Sequence, residues 1–170
     1  MKKISIKIFL LTLLLAWAVS GPAAAGEFAG AISVFKASPE VQPFFKNCYA
    51  LAIFPTVGKA AVVVGGAYGE GKVYRQGKLT GNAKLVHASF SLQLGGKTFS
   101  EIIFLQDKQA YDAFTSGEFE FDADVSANAI TAGAQARTEY RNGMAAFIYQ
   151  KEGLMAAMAI GGQKFGFEPR

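Results

Sequence analysis

The chain has 170 residues, and its 17 basic and 13 acidic side chains give a formal net charge of +4. Three of the basic residues lie in an N-terminal leader, so the rest of the chain carries only +1 and lacks the strong positive charge typical of nucleic-acid-binding proteins. The single cysteine, Cys48, excludes an internal disulfide, and the single histidine, His87, excludes a metal centre built from several histidines.

The first 25 residues have the three parts of a secretory signal peptide. A lysine-rich start is followed by an apolar run from Ile8 to Val19 and by three alanines that end at Ala25. A run of this length is too short for a membrane-spanning helix, which needs about 20 residues. No cysteine lies near the cleavage site, so no lipid anchor is expected. We predict cleavage near Ala25, a periplasmic or secreted location, and a single domain over residues 26–170.

The segment from Glu27 to Lys46 has helical spacing. Phe28, Ile32 and Phe35 recur at intervals that place them on one helical face. Ser38-Pro39-Glu40 has the capping serine, early proline and acidic residue of a second helix start, and two further phenylalanines follow it. This pattern predicts a short helical hairpin that covers one side of the core.

Strand-like sequence begins after Cys48. We predict one strand from Tyr49 to Phe54, ended by Pro55, and a second from Ala60 to Tyr68. Glycines are unusually dense at the end of the second strand, where they indicate a bent backbone with a tight turn over residues 69–71. We predict a structural role for these four glycines, which are Gly65, Gly66, Gly69 and Gly71.

The rest of the chain alternates between strands and one short helix. The alternation from Lys84 to Leu94 predicts a strand with Val86 on its apolar face and His87 on its half-exposed polar face. Asp107 is expected to cap a short helix from Lys108 to Thr115. Further strands are predicted at Phe99–Gln106, Glu118–Val125, Met144–Tyr149 and Leu154–Ile160.

These elements predict an α+β fold that is mainly antiparallel β. The strands number about seven to eight, and several are apolar on both faces, so they need cover on both sides. A rolled sheet or barrel-like sandwich, with an N-terminal helical hairpin and one short mid-chain helix, meets that need.

The sequence lacks the patterns expected of a catalytic or metal site. His87 shares a strand face with Ser89 and Ser91, but no Gly-x-Ser-x-Gly elbow is present. The glycines do not have phosphate-loop spacing, and no helix follows them. The acidic residues at 118–124 would lie in a row about 7 Å apart rather than in a calcium cage. We therefore predict no enzyme activity, no cofactor and no metal.

Two segments carry a family resemblance. Ala50-x-Ala-Ile-Phe-Pro-x-Val-x-Lys-Ala, followed by Val64-Gly-Gly-x-Tyr-Gly-Glu-Gly71, resembles the signature of the SYLF domain. Shorter matches occur at Gln93-Leu94-Gly95, Phe114-x-x-Gly117 and Gly153-Leu154, so the resemblance covers roughly residues 28–167. It implies a lipid-binding module without catalytic activity. Eukaryotic relatives bind phosphoinositides, and some bind actin and regulate its assembly, whereas bacterial relatives are typically exported.

The leading hypothesis is an exported domain that binds phospholipid or a membrane surface. Export argues against actin as a partner. Lipid phosphate would meet basic residues of the segment 57–99, namely Lys59, Lys72, Arg75, Lys78 and Lys97. Apolar contact would come from Phe28, Phe35, Phe44 and Phe45. The alternatives are a structural or protein-interaction module of the bacterial cell envelope, with envelope proteins as partners, and a small integral outer-membrane barrel of eight strands.

Overall fold

The computed structural model describes residues 22–59, 66–87, 98–120, 139–150, 153–157 and 163–170. It contains three helices in these ranges: α1 (Pro22–Lys36), α2 (Gln42–Asn47) and α3 (Lys108–Phe114). The strands are β1 (Ala50–Lys59), β2 (Ala67–Arg75), β3 (Lys78–His87), β4 (Phe99–Leu105), β5 (Glu118–Glu120), β6 (Met144–Gln150), β7 (Gly153–Ala157) and β8 (Gln163–Pro169). Gly65, Lys97 and the predicted strand residues 88–94 and 121–125 lie outside the described ranges.

The described strands form one sheet in the order β5-β8-β3-β2-β1-β4-β6-β7. Every neighbouring pair is antiparallel, which confirms the predicted α+β class and the antiparallel character of the sheet. Within the described residues the sheet is open, because β5 and β7 stand at its two edges and do not pair with each other. The closed arrangement implied by a barrel-like sandwich is therefore wrong for this part of the chain.

Although open, the sheet is strongly rolled. Phe54 on β1 and Phe165 on β8 have β2 and β3 between them, so a flat sheet would hold their strands about 14 Å apart. Their ring centroids are only 5.7 Å apart, and Phe165 also packs on Phe114 of α3. The roll brings distant strands together and gives the sheet an inner and an outer face.

Each face buries its own apolar cluster. The inner face packs against α3, whose Ala110 and Phe114 join the core residues of all the central strands. The outer face of β1, β4 and β6 packs against α1 and α2, as the predicted hairpin requires. The chain differs from the prediction in detail, because α1 already begins at Pro22 and residues 37–41 form turns rather than a helix start. Helix α2 begins only after Val41, which is buried.

Pro55 does not end a strand. Strand β1 continues through it to Lys59, and the pairing with β2 gains one extra residue between Ile53 and Val57. A β-bulge of this kind accommodates a proline, since the bulged residue needs no ladder hydrogen bond. The predicted boundary at Pro55 is therefore wrong, because a local proline signal was overridden by pairing on both sides of β1. Residues 60–65 of the predicted second strand lie outside the described ranges, and its end at Ala67 and Tyr68 falls in β2.

Gly69 and Gly71 lie inside β2 rather than in a tight turn. A Cβ atom at Gly71 would fall 2.5 Å from the Phe54 ring and 2.9 Å from the Ile53 carbonyl oxygen. At Gly69 it would fall 2.7 Å from a methyl group of Val57. These glycines therefore let the bulged part of β1 pack directly on the β2 backbone. Gly66, just before β2, is buried.

Strand β3 presents the opposite faces to those predicted. His87 is fully buried, in line with Ala83 and Leu85 on the inner face, whereas Val86 is only half-buried on the outer face. The predicted half-exposed histidine is therefore wrong. The strand alternates apolar and polar residues only weakly, so pairing with β2 and β8, and not the alternation, decides which face is covered.

Helix α3 begins as the sequence predicts, with Asp107 as its N-cap. The carboxylate Oδ1 accepts a hydrogen bond of 2.8 Å from the backbone N–H of Ala110. We expect Asp107→Ala to lower the free energy of unfolding by about 1 kcal/mol, because one helix-end donor loses its acceptor. Asp112→Ala, which removes an exposed carboxylate from the same helix, should change it by less than half as much in urea titrations.

Candidate functional site

The predicted cations do not form one surface. Lys72 lies on the outer face against α1, whereas Arg75 lies towards α3, with its guanidinium carbon 5.6 Å from the centroid of the Tyr111 ring. Lys78 is exposed at the start of β3, where it pairs with Arg75. Lys59 is placed by its register opposite Ala67, and Lys97 lies outside the described residues. The segment 57–99 thus divides its positive charge between opposite sides of the sheet.

Two of the four predicted apolar contacts are core residues. Phe35 is fully buried and Phe44 is only 9% exposed, since both pack between the helices and the outer face of the sheet. Neither ring offers surface to a membrane in this structure, so these two assignments are corrected. Phe28 on α1 and Phe45 on α2 are half-buried and remain at the surface.

Both half-buried phenylalanines lie beneath a lysine ammonium group. Lys72 Nζ is 4.3 Å from the centroid of the Phe28 ring, and Lys36 Nζ is 5.5 Å from that of Phe45. Both distances are within the range of cation–π attraction, which contributes about 0.5–1 kcal/mol at exposed sites. We call these four residues the Lys–Phe surface. It combines positive charge with aromatic area on the helical side of the sheet.

Sequence reasoning assigned Lys72, Phe28 and Phe45 to a lipid-facing site but left out Lys36. Lys36 ends α1, and Phe45 lies in α2, so the two meet only because the intervening turn folds the helices together. A lysine in the last turn of a helix is also the ordinary partner of the helix dipole. The sequence therefore carried no signal that separated this lysine from a simple helix-end charge.

A groove of about 370 Å³ lies beside the Lys–Phe surface, between α2 and the segment that precedes β6. It is lined by Pro43, Phe44, Asn47, Gln106, Glu139 and Tyr140. With one carboxylate, two amides and no cation among these residues, the groove does not suit a phosphate group. Burial, with a smaller contribution from Cys48, raises the pKa of Tyr140 to about 12, so its hydroxyl stays neutral.

Cys48 has the properties of a structural thiol. It is half-buried against the helical cluster, and burial raises the pKa of its thiol above the usual range. A raised pKa keeps the sulfur protonated and unreactive at neutral pH. Among the residues that the structure describes, no three His, Cys, Asp or Glu side chains are grouped so as to hold a metal ion. No helix in these ranges has the length and apolar character to cross a membrane.

Comparison with known proteins agrees with the resemblance seen in the sequence. Residues 86–168 match the family model described as "Ysc84: Las17-binding protein actin regulator". Residues 86–168 therefore match the same SYLF family that the signature segment resembles. It is 27% identical over 136 residues, 79% of its length, to Beta cell expansion factor A of Aeromonas veronii. The match covers 51% of that relative, so the chain spans about half of the relative's length.

The family match and the signature segment fall on different parts of the chain. The family match runs from the end of β3 through β8, whereas the signature from Ala50 to Gly71 occupies β1 and the first half of β2. The Lys–Phe surface lies on the helical side of the signature strands, because Lys72 directly follows the signature and Phe28 packs over it. The strands that carry the signature segment therefore also lie beneath the Lys–Phe surface.

Proposed function

We propose that this SYLF domain is an exported, non-enzymatic module that binds phospholipid at a membrane surface through its Lys–Phe surface. Family membership supports a lipid-binding or actin-regulator type of domain. The observation that carries the proposal is the pairing of Lys72 with Phe28 and of Lys36 with Phe45. In each pair an ammonium group can contact a lipid phosphate while the ring beside it contacts the apolar boundary of the bilayer.

The predicted leader would direct export of the chain. Cleavage near Ala25 would remove the first residues of α1 but leave Glu27, whose Oε1 accepts a 2.8 Å hydrogen bond from Thr56 Oγ1 on β1. The shortened helix would therefore stay tied to the sheet, with Phe28 in place beneath Lys72. N-terminal sequencing of protein recovered outside the cytoplasm should begin at Gly26, and an uncleaved chain retained in the cytoplasm would contradict export.

The net charge of the chain determines how lipid binding should depend on salt concentration. With a net charge of only +1 after the leader, attraction to anionic lipid rests on local lysines and should weaken as salt rises. Each lysine near an anionic surface contributes about 1 kcal/mol at physiological ionic strength. Removing two should therefore weaken binding by about 10- to 30-fold.

Vesicle flotation tests this expectation. Wild-type protein should float with phosphatidylglycerol vesicles at low salt, and Lys36→Gln/Lys72→Gln should lose most of that binding. The matched control Lys108→Gln/Arg141→Gln removes the same charge from exposed positions near α3 and should bind like the wild type. Absence of wild-type flotation at low salt would rule out the proposal. An equal loss in both variants would show that net charge, not the Lys–Phe surface, determines binding.

The second candidate is a protein-interaction module of the cell envelope. The description of the family model favours it, because it names a protein that binds another protein. For this chain the same Lys–Phe surface would then face a partner protein. Cross-linking in intact cells that recovers one envelope protein, lost in Lys36→Gln/Lys72→Gln, together with no vesicle binding, would favour this candidate over the first.

A further inference from the structure

Among the described residues, three polar side chains are fully buried on the inner face of the rolled sheet. They are His87 on β3, Glu101 on β4 and Gln163 on β8. The neighbouring inner-face positions are apolar, among them Phe99, Ile103 and Phe165. An ionised carboxylate in such surroundings costs free energy, so the stability of the fold depends on whether Glu101 is protonated.

Glu101 and Gln163 are joined by a hydrogen bond that crosses the interior of the roll. Gln163 Nε2 donates to Glu101 Oε2 at 2.9 Å. Their strands are not neighbours, since β3, β2 and β1 lie between β8 and β4 in the sheet. The contact therefore does not belong to the ladder of either strand. It fastens the two sides of the roll to each other.

The remaining oxygens of this pair are complementary only if Glu101 is protonated. Glu101 Oε1 and Gln163 Oε1 each lack a hydrogen-bond partner among the described residues. A carboxylate and an amide oxygen are both acceptors, so the ionised acid leaves both atoms unsatisfied. A proton on Glu101 Oε1 makes it a donor to Gln163 Oε1. Acid and amide would then each give one hydrogen bond and accept one.

Burial favours that protonated form. It raises the pKa of Glu101 to about 8, while the hydrogen bond from Gln163 lowers it by less. At neutral pH the buried group is therefore mainly the neutral acid, which avoids the cost of an uncompensated charge in the core.

We propose that neutral Glu101 and Gln163 form a doubly hydrogen-bonded acid–amide pair that closes the roll between β4 and β8, and that loss of the Glu101 proton opens it. Among the described residues, the other charged or titratable positions on the inner face at this end are His87, directly opposite Gln163, and, by its register opposite Ala67, Lys59 on β1. Arg75, Asp107 and Lys108 lie at the opposite end, beside the pair of Ala50 with Leu105. On β8 the charged residues Lys164 and Glu168 are exposed, whereas Gln163 and Phe165 are buried on the inner face.

The direction of the pH effect follows from linkage. In an opened state Glu101 meets water and titrates near its ordinary value of about 4.3. Between that pH and about 8 the closed roll holds a proton that the opened state has lost. Opening therefore becomes about tenfold easier for each unit of rising pH in this window, and the effect levels off above it.

Hydrogen exchange of the β8 backbone amides in the full-length chain tests the proposal. After correction for intrinsic exchange, protection in the wild type should fall about tenfold per pH unit between pH 5 and 8. Glu101→Gln keeps an amide in place of the neutral acid, so its protection should be independent of pH over that range. The control Glu40→Gln changes an exposed carboxylate and should follow the wild type. Both variants retain His87, so the pH dependence that is lost only in Glu101→Gln belongs to the Glu101 carboxyl.

A titration of the wild type keeps the test decisive even if Glu101→Gln fails to fold. Carbon-13 NMR of the glutamate carboxyls should show one group that titrates more than two pH units above the others. Titration of every glutamate carboxyl together near pH 4–5 would overturn the proposal. So would a fall in β8 protection that is the same in Glu101→Gln as in the wild type, since another group would then control the opening.

Discussion

Replacing Phe104 with alanine should lower the free energy of unfolding by about 3–5 kcal/mol, which is the range for a buried phenylalanine. Phe104 is fully buried at the centre of the outer face. Its ring centroid lies 4.9 Å from that of Phe45, 5.6 Å from that of Phe44 and 5.9 Å from that of Phe147. Loss of the ring leaves a cavity where α2 packs on β4, because Phe44 and Phe45 of that helix both contact it.

The same substitution should also weaken vesicle binding, since Phe45 and its partner Lys36 depend on the position of α2. Urea unfolding measures the stability, with an unchanged m-value showing that only stability changed. Phe167→Ala is the matched control, because it removes the same ring from a half-buried site on β8 and should lose less than half as much. Equal losses in the two variants would mean that Phe104 is packed no more tightly than the half-buried Phe167.

Gly71→Ala should be the most damaging single methyl addition among the described glycines of β2. The new Cβ would fall 2.5 Å from the Phe54 ring, which is fully buried against Phe165. It would also fall 2.9 Å from the Ile53 carbonyl oxygen, a backbone atom held by pairing on both sides of β1. Overpacking of this kind costs about 1–3 kcal/mol, and the ring and the strand must both move to relieve it.

Gly30→Ala makes the same chemical change at a site where we expect the opposite effect on stability. Gly30 lies on the exposed side of α1, with nothing within 4 Å of an added Cβ. Alanine there should stabilise the domain by about 0.5–1 kcal/mol, because it restricts the unfolded chain and suits a helix. Thermal unfolding of the two variants should therefore shift in opposite directions. A stabilised Gly71→Ala would show that β1 and β2 do not pack as closely as the structure places them.

The sequence predicted those features whose signals are local. Apolar spacing located α1, continuous apolar runs located β4, β6 and β7, and an aspartate before a short apolar helix correctly marked the cap at Asp107. In each case the signal lies in consecutive residues of a single segment. Their pattern is therefore visible without knowledge of the rest of the fold.

The errors arose where distant strands decide the outcome. Pro55 indicated a strand end, but pairing of β1 with both β2 and β4 carries the strand past it as a bulge. His87 was placed on the wrong face because the sides of β3 are distinguished by β2 and β8 and not by its own residues. Likewise, Glu101 gave no signal in the sequence, since its partner Gln163 is brought to it only by the roll.

The position of β8 has a consequence for how the domain reaches its fold. This last strand in chain order lies between β5 and β3 and pairs with β3, and a side-chain ion pair links Lys84 of β3 to Glu168 of β8, 84 residues apart in the chain. Strand β3 therefore remains an unprotected edge until almost the whole domain has been synthesised. Such long-range closure is slow. On the export route proposed above, late closure would keep the chain unfolded for longer during translocation and would make it dependent on chaperones in that interval.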